Sequence, residues 1–362
     1  MPLDQPIINA LQKGLQGDLL TDSHSLGVYS TDASIYKITP LAVVLPKNEE
    51  DVKLVVSVAN QYDLTLLPRG AGTSLAGQTV GKSLVLDFSK YMNQTLEINT
   101  EEKWVRVQPG KVRDVLNAEL APYMLHFAPD PATSSRANVG GMVGNNSSGT
   151  KSIIYGKTVD HILEARVLLA DGTEMHLKKC TPETYEEIAG KDSREGEIYS
   201  GFKKVIEKNK EEIRKRFPKV MRRVGGYNLD EFIDTNEWNL AKLITGSEGT
   251  LATTLDMKLN LEPLPEYKSV CVVHFLELGE AISAVEPMLK YNPSAVEILD
   301  NHVLTMSREN LTTKRHSHFI RENPAAILIV EFYGKTREDV LDRPRAMVEE
   351  LKTRSFGYAH DI

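Results

Sequence analysis

Between residues 41 and 88 the chain alternates three short apolar runs with one amphipathic stretch, which restricts this region to packed layers of helix and strand. LAVVLP (residues 41–46) is a continuous apolar run closed by proline, the pattern of a buried strand. NEEDVKLVVSVANQY follows. Asn48 stands at the cap position, acids fill the first turn, and Val52, Val55, Val56 and Ala59 fall on one helical face. LTLLP (64–68) and SLVLDF (83–88) read as two more strands, with RGAGTSLAGQTVG as the loop between them.

Residues 1–40 form a partly helical lead-in. Beyond residue 88 the pattern turns to hairpins. LEINTEEKWVRVQPG alternates apolar and polar residues around an acidic turn. VRDVLNAELAPY is a short amphipathic helix and MLHFAPDP another strand. A Gly/Ser/Asn stretch occupies residues 134–149. ILEARVLLADGTEMHLKK is a hairpin turning at Asp171-Gly172. Residues 183–217 are helical and crowded with mixed charge, a solvated face. Strand character returns with LAKLITGSEGTLATTLDMKLNLEPLP. From about residue 266 the order strand, helix, short apolar run, helix, strand, helix suggests a second, small α+β domain. The chain stops at FGYAHDI without a closing element, as expected of a fragment of a longer polypeptide.

Three polar loops carry the chemistry. In PRGAGTSLAG (68–77), glycines let the backbone approach a ligand closely, successive N–H groups make an anion nest, and Thr73 and Ser74 add hydroxyl donors. This suits a pyrophosphate. In residues 129–162, Gly140, Gly141, Gly144 and Gly149 again permit close approach, while Ser134, Ser135, Asn145, Ser148 and Thr150 offer donors; a long loop of this kind inside a compact domain is usually functional. TGSEGTLA (245–252) is by itself only a turn. AGQTVGKS (76–83) imitates a nucleotide-binding P-loop, but that motif requires a helix after it, and SLVLDF reads as a strand. GGMVG (140–144) lacks the GxGxxG spacing of a dinucleotide-binding turn.

A net charge of −7 argues against a nucleic-acid partner. Cys180 and Cys271 form no metal-ligand spacing, and His316 and His318 lack a third ligand, so no metal site is expected. There is no signal-peptide pattern and no apolar run near the length of a membrane span. A cytoplasmic location is the default, with peripheral contact at the inner face of the membrane left open.

Taken together, RGAGTS (69–74), PDP with GGMVGNN, YGKTVDHI with LLADG, and GSEGTLA resemble the vanillyl-alcohol-oxidase-type flavoproteins with a PCMH-type FAD domain, over residues 30 to about 265. RRVGGYNLDEF (222–232), just before GSEGTL, is similar to the lead-in of the D-2-hydroxyacid dehydrogenases that act on D-lactate or D-2-hydroxyglutarate. The closest likeness is to long bacterial forms in which a flavin half is fused to an iron–sulfur half. The resemblance implies a two-lobed α+β FAD-binding domain over residues 1–265, with lobes of about 1–100 and 101–265, and an incomplete α+β cap over 266–362.

It further implies non-covalent FAD, because Thr73 stands where covalent members carry histidine. Pro68, Arg69, Gly70, Ala71, Gly72, Thr73, Ser74 and Gly77 would hold the pyrophosphate. Pro129, Asp130, Ser135, Gly140, Gly141, Asn145, Ser148 and Gly149 would line the other side, with Glu248 and Gly249 near the ribityl or adenosine part. Arg222 and Arg223, beside Tyr227 and Asn228, are candidates for holding a substrate carboxylate, since the arginine fork binds carboxylates bidentately. The implied reaction is hydride transfer from a 2-hydroxyacid to flavin, with electrons passed to an iron–sulfur, quinone or other acceptor. A catalytic base is unassigned, and any iron–sulfur cluster would lie outside these residues. Two alternatives keep the flavin: a sugar or alcohol oxidase or reductase of the same fold, or an electron-relay module without its own substrate turnover.

Overall fold

The computed structural model describes residues 3–362, and the elements below are those found among these residues. The chain divides into two compact units: residues 1–149 with 156–263, and Thr150–Tyr155 with Leu264–Ile362.

The first unit contains two main sheets. β1 (Asp18–Leu20), β2 (Ala42–Leu45), β3 (Leu66–Arg69) and β4 (Leu84–Asp87) form a sheet in the order β1-β2-β4-β3. β2, β4 and β3 run parallel, and β1 is antiparallel to β2. The apolar runs of β2 and β4 are buried along their whole length, as strands covered on both faces must be. Helix Glu49–Gln61 covers one face with Val52, Val55, Val56 and Ala59, packed against Ala42, Val44, Leu84 and Leu86. Its start is fixed twice: the Asn48 side chain caps the Asp51 N–H at 3.0 Å, and the buried Asp51 carboxylate accepts from the N–H groups of Gln16, Gly17 and Lys47. Because Ser83 leads into a strand, AGQTVGKS lacks the helix a P-loop needs.

The second sheet is antiparallel, built from β5 (Thr95–Asn99), β6 (Trp104–Val107), β8 (Ile162–Leu168), β9 (Glu174–Cys180), β10 (Trp238–Asn239) and β11 (Thr253–Asn260) in the order β10-β9-β8-β11-β6-β5. A two-residue pairing of β7 (Leu125–His126) with β12 (Glu262–Pro263) lies apart from it. Alternation sorts the side chains. Val105, Val107, Ala165, Val167, Met257 and Leu259 enter a core covered by helices, including Arg194–Arg216, which buries Tyr199, Ile206 and Ile213 beneath its charged surface. On the opposite face Arg106, Glu164, Arg166 and Asp256 form an ion-pair network. Arg166 reaches across to Glu49 at the start of helix Glu49–Gln61, joining the two sheets' layers.

GGMVG, read above within a loop, belongs to a short helix, Val139–Gly144. Its glycines disfavour helix by about 1 kcal/mol each. Burial of Val139, Met142 and Val143 at helical spacing overrides that preference.

The second unit is one antiparallel sheet of β13 (Tyr267–Phe275), β14 (Ala295–Asp300), β15 (Ala326–Gly334) and β16 (Ala359–Asp361), in the order β14-β15-β13-β16. Helices Leu278–Leu289 and Arg337–Thr353 cover one face over Cys271, Val273, Phe275, Leu328 and Val330, and Leu304 packs on the other with Val272 and Ile327. Two features depart from expectation. FGYAHDI supplies β16, which closes the sheet on β13, with Arg321 donating to Asp361. The hexapeptide Thr150–Tyr155 also belongs to this unit, where Lys151 lies 3.8 Å from Glu331.

Candidate functional site: a two-chambered cleft walled by three loops

β3 and β4 are parallel neighbours, and their carboxyl ends deliver Arg69 and Phe88 to the same edge. Ligands of parallel sheets collect outside such ends. Two adjoining cavities open there, about 690 Å³ and 1120 Å³ with their open mouths included. They share Gly70, Gln78, Thr79, Gly141, Asn145 and Glu248 as walls, so the two lie side by side along the three polar loops.

The first loop is shaped by its own arginine. Arg69 donates to the carbonyls of Thr79 at 2.8 Å, Thr31 at 2.9 Å and Tyr29 at 3.3 Å, and lies over the Tyr29 ring at 5.2 Å. Tyr29 is held in turn by Asp87 at 2.6 Å; burial first, then this hydrogen bond, push its phenol well above the ordinary value. Thr79 donates to Asp32, and the Ala33 N–H to the Gly72 carbonyl. Gly72 is left-handed, with φ of 67°; a Cβ there would strike the Arg69 guanidinium. Ser74 is hydrogen-bonded to Gln78.

The second loop enters through Asn138. Its Nδ2 donates to the Gly110 carbonyl, which can only accept, so Oδ1 is left buried beside Gly70 without a hydrogen-bond partner, while the residue lines the second cavity. The helix that follows hangs from Pro109 and Lys111 by the N–H groups of Gly140 and Val139. Gly141 faces open space, with nothing within 4 Å of a Cβ built on it. The third loop is pinned to the second: Gly246 N–H donates to the Val143 carbonyl at 2.8 Å and Glu248 N–H to that of Gly144 at 2.9 Å. Glu248 itself is left-handed, with φ of 54°.

Of the expected cofactor residues, Pro68, Arg69, Gly70, Gly140, Gly141, Asn145, Glu248 and Gly249 line the first cavity. Gly70, Ala71, Gly72, Thr73, Ser74, Gly141, Asn145 and Glu248 line the second. Pro129, Asp130, Ser135, Ser148 and Gly149 line neither, and Gly77 lies against the Tyr36 ring. Sequence reasoning passed over Gln78, Thr79, Phe88, Pro109, Asn138, Val143, Ile244, Ala252 and Thr254. The rule of carboxyl ends of parallel strands would have found Phe88; the others are brought in by tertiary packing.

The RRVGGYNL segment contributes Val224 and Gly225 to the wall. Arg222 is exposed. Arg223 is buried, paired with Asp230 and donating to Asn228, which is also buried. Tyr227 is hydrogen-bonded to Thr250 at 2.9 Å. His316 and His318 are exposed, and no group of three metal-ligating side chains occurs among the described residues. No helix among them is long and apolar enough to cross a membrane.

The cleft fits FAD in its donor set and shape. First-loop residues line it with backbone N–H groups and the Thr73 hydroxyl, and Phe88, Pro109, Val143, Ile244 and Ala252 line an apolar end suited to a flat ring.

Comparison with known proteins agrees. The family "FAD binding domain" matches residues 40–178, and "FAD linked oxidases, C-terminal domain" matches residues 264–358. The D-2-hydroxyglutarate dehydrogenase of Pseudomonas putida is 34% identical over 348 residues, covering 94% of this chain and 35% of that protein. The chain spans about a third of the length of this and the other curated D-2-hydroxyglutarate dehydrogenases it matches. Among solved structures, alkyldihydroxyacetonephosphate synthase superposes with a TM-score of 0.71 at 18% identity, over 100% of this chain and 62% of that one. Substrate-bound p-cresol methylhydroxylase gives 0.66 at 16%, over 100% and 67%. With the three loops assembled on this fold and both domain families matched, the chain belongs to the FAD linked oxidases, an FAD binding domain followed by that family's C-terminal domain.

Proposed function

We propose that this chain is the flavin-carrying part of a dehydrogenase that oxidises a D-2-hydroxyacid of the D-2-hydroxyglutarate or D-lactate type. The observation that carries the reading is the pair of adjoining cavities walled by all three polar loops, in a chain similar along nearly its whole length to D-2-hydroxyglutarate dehydrogenases. Bound FAD supplies the acceptor for a hydride from the hydroxyl-bearing carbon. The protein's part is to bind, orient and exclude water. Residues 70–74 offer N–H groups, with the Thr73 hydroxyl, to the diphosphate. Glu248 suits hydroxyls of the cofactor's sugar portion. Thr73 forms no flavin bond, so acid precipitation leaves the yellow chromophore in the supernatant.

Arg222, exposed two residues before the wall residue Val224, is the arginine we assign to the substrate carboxylate, with Tyr227 nearby in sequence. Replacing Arg222 by Met raises KM for the hydroxyacid at least about tenfold, and an unchanged KM removes it from the site. The downstream acceptor is an iron–sulfur centre, quinone or similar group.

A second reading has its own support. Among the residues lining the two cavities Arg69 is the sole lysine or arginine, and it points to backbone carbonyls. That favours a flavin module whose substrate-binding groups lie elsewhere. The visible spectrum of the chain reconstituted with FAD, before and after anaerobic D-2-hydroxyglutarate or D-lactate, separates the two. Bleaching supports the dehydrogenase, an unbleached flavin the relay module, and failure to take up FAD removes both.

A further inference from the structure

Two side-chain amides, Asn146 and Asn228, meet in the interior although 82 residues separate them, and both are fully buried. Asn228 has every hydrogen-bonding position occupied. Its Nδ2 donates to the carbonyls of Thr245 at 2.6 Å and Lys242 at 3.2 Å; its Oδ1 accepts from Asn146 Nδ2 at 3.4 Å and Arg223 Nη2 at 3.3 Å. A guanidinium only donates and a carbonyl only accepts, so the orientation of this amide is forced. Asn146, in the left-handed region with φ of 48°, accepts the Val159 N–H at 2.9 Å on its other side. Its chain neighbours Asn145 and Ser147 line the cleft. Gly246 packs against both amides: a Cβ there would come within 3.4 Å of the Asn146 side chain and 3.6 Å of Asn228 Nδ2.

We infer that Asn228 is a positioning residue for the cofactor cleft. It bolts the second loop, through Asn146, to the third, through the Thr245 carbonyl, so that Asn145, Ser147 and Glu248 present one fixed wall. Arg223, held by Asp230, sets the orientation of the bolt and is not a substrate contact. The inference rests on the FAD reading for its functional meaning, while the bolt itself is a property of the chain.

The isosteric change Asn228→Asp tests it. An ionised carboxylate would set an oxygen against the Thr245 and Lys242 carbonyls, whereas a protonated one donates to one of them again. In the full chain, hydrogen exchange reads the Gly246 and Glu248 amides, which bridge the two loops. N228D lowers their protection factors at least about tenfold at pH 8 and regains much of that at pH 5.5; N228A shows the loss at both. A generally weakened fold would lose protection equally at both pH values in N228D, and that result overturns the inference. So does wild-type protection in N228D at pH 8. FAD titration of the same samples shows about tenfold weaker binding by N228D at pH 8, recovering toward acid, and unchanged FAD affinity there also overturns it. If the unsubstituted chain binds no FAD, the cofactor reading fails while the exchange data still decide the bolt. Should N228D not fold, Asn146→Gly removes the amide pair without left-handed strain and gives the same loss at Gly246 and Glu248.

Discussion

The Arg69 guanidinium donates to the Thr79 carbonyl at 2.8 Å, so a glycine-rich loop is cinched by an arginine at its own beginning. The loop's cation is spent on carbonyls, and the diphosphate reading relies on N–H groups and the Thr73 hydroxyl.

Arg69→Met therefore weakens FAD binding although the arginine need not touch the cofactor. The expected loss is about 10- to 100-fold in Kd, from releasing two or three hydrogen bonds worth about 1 kcal/mol each. Arg69→Lys gives little rescue, because one ammonium cannot reproduce the fork to Thr79, Thr31 and Tyr29. Flavin fluorescence titration checks both variants, and wild-type affinity in R69K would contradict this role.

Gly140 and Gly141 are neighbours with opposite constraints. A Cβ on Gly140 would come 2.6 Å from Pro109 Cβ and 2.9 Å from its carbonyl oxygen. Gly140→Ala is expected to destabilise the apo chain by about 1–3 kcal/mol through overpacking. On Gly141 a Cβ meets nothing within 4 Å and projects into the cleft. Gly141→Val leaves the apo melting temperature nearly unchanged while excluding FAD. Paired thermal melts with and without FAD distinguish the two; equal melting of G140A and wild type would refute the packing argument.

Glu164 makes stability depend on acid. Burial opposes its charge, but hydrogen bonds from Arg106 at 2.7 Å and His176 at 2.8 Å, with Lys258 nearby, outweigh it and hold the carboxyl at about 2, against an ordinary 4.5. A depressed carboxyl contributes stability that is present above the unfolded value and lost as pH falls through the folded one. Glu164's contribution should therefore decay between pH 4.5 and 2. Glu164→Gln costs about 1–3 kcal/mol at pH 7. It also flattens the denaturant-midpoint profile across that acid window; a profile as steep as wild type would count against it.

Both thiols should be silent in the native state. Cys271 lies wholly inside the second unit, where burial pushes its thiol up to about 12, and Cys180 is buried beneath Tyr185 and Tyr199 in the first unit's core. Dithiobis-nitrobenzoate should release no chromophore until guanidinium is added, and then two equivalents. Prompt reaction of the folded chain would show that one core opens.

The helix Glu49–Gln61, the strands β2 and β4 and the hairpin turning at Gly172 were legible because each is written in contiguous residues: a cap, a periodicity, a turn dipeptide. The helix Val139–Gly144 was not, since its glycines argue locally for a loop and only the core beneath Met142 and Val143 decides otherwise. β16 was missed for a similar reason. Three residues carry too little pattern, and pairing with β13 across a long separation makes them a strand.

By itself the sequence determined the chemistry on offer: where N–H nests and hydroxyls could form, which stretches pack as layers, and the order of motifs marking an FAD-binding chain. Tertiary structure alone decided where those groups point. It aimed the Arg69 guanidinium at carbonyls, drew Asn138 to the cleft wall, buried Asn228 against Asn146, and set Thr150–Tyr155 in the second unit. The physical reason is range. Propensity and periodicity act over a few residues and survive in a linear reading, whereas the direction of a polar side chain is chosen by whichever distant partner satisfies it in the interior.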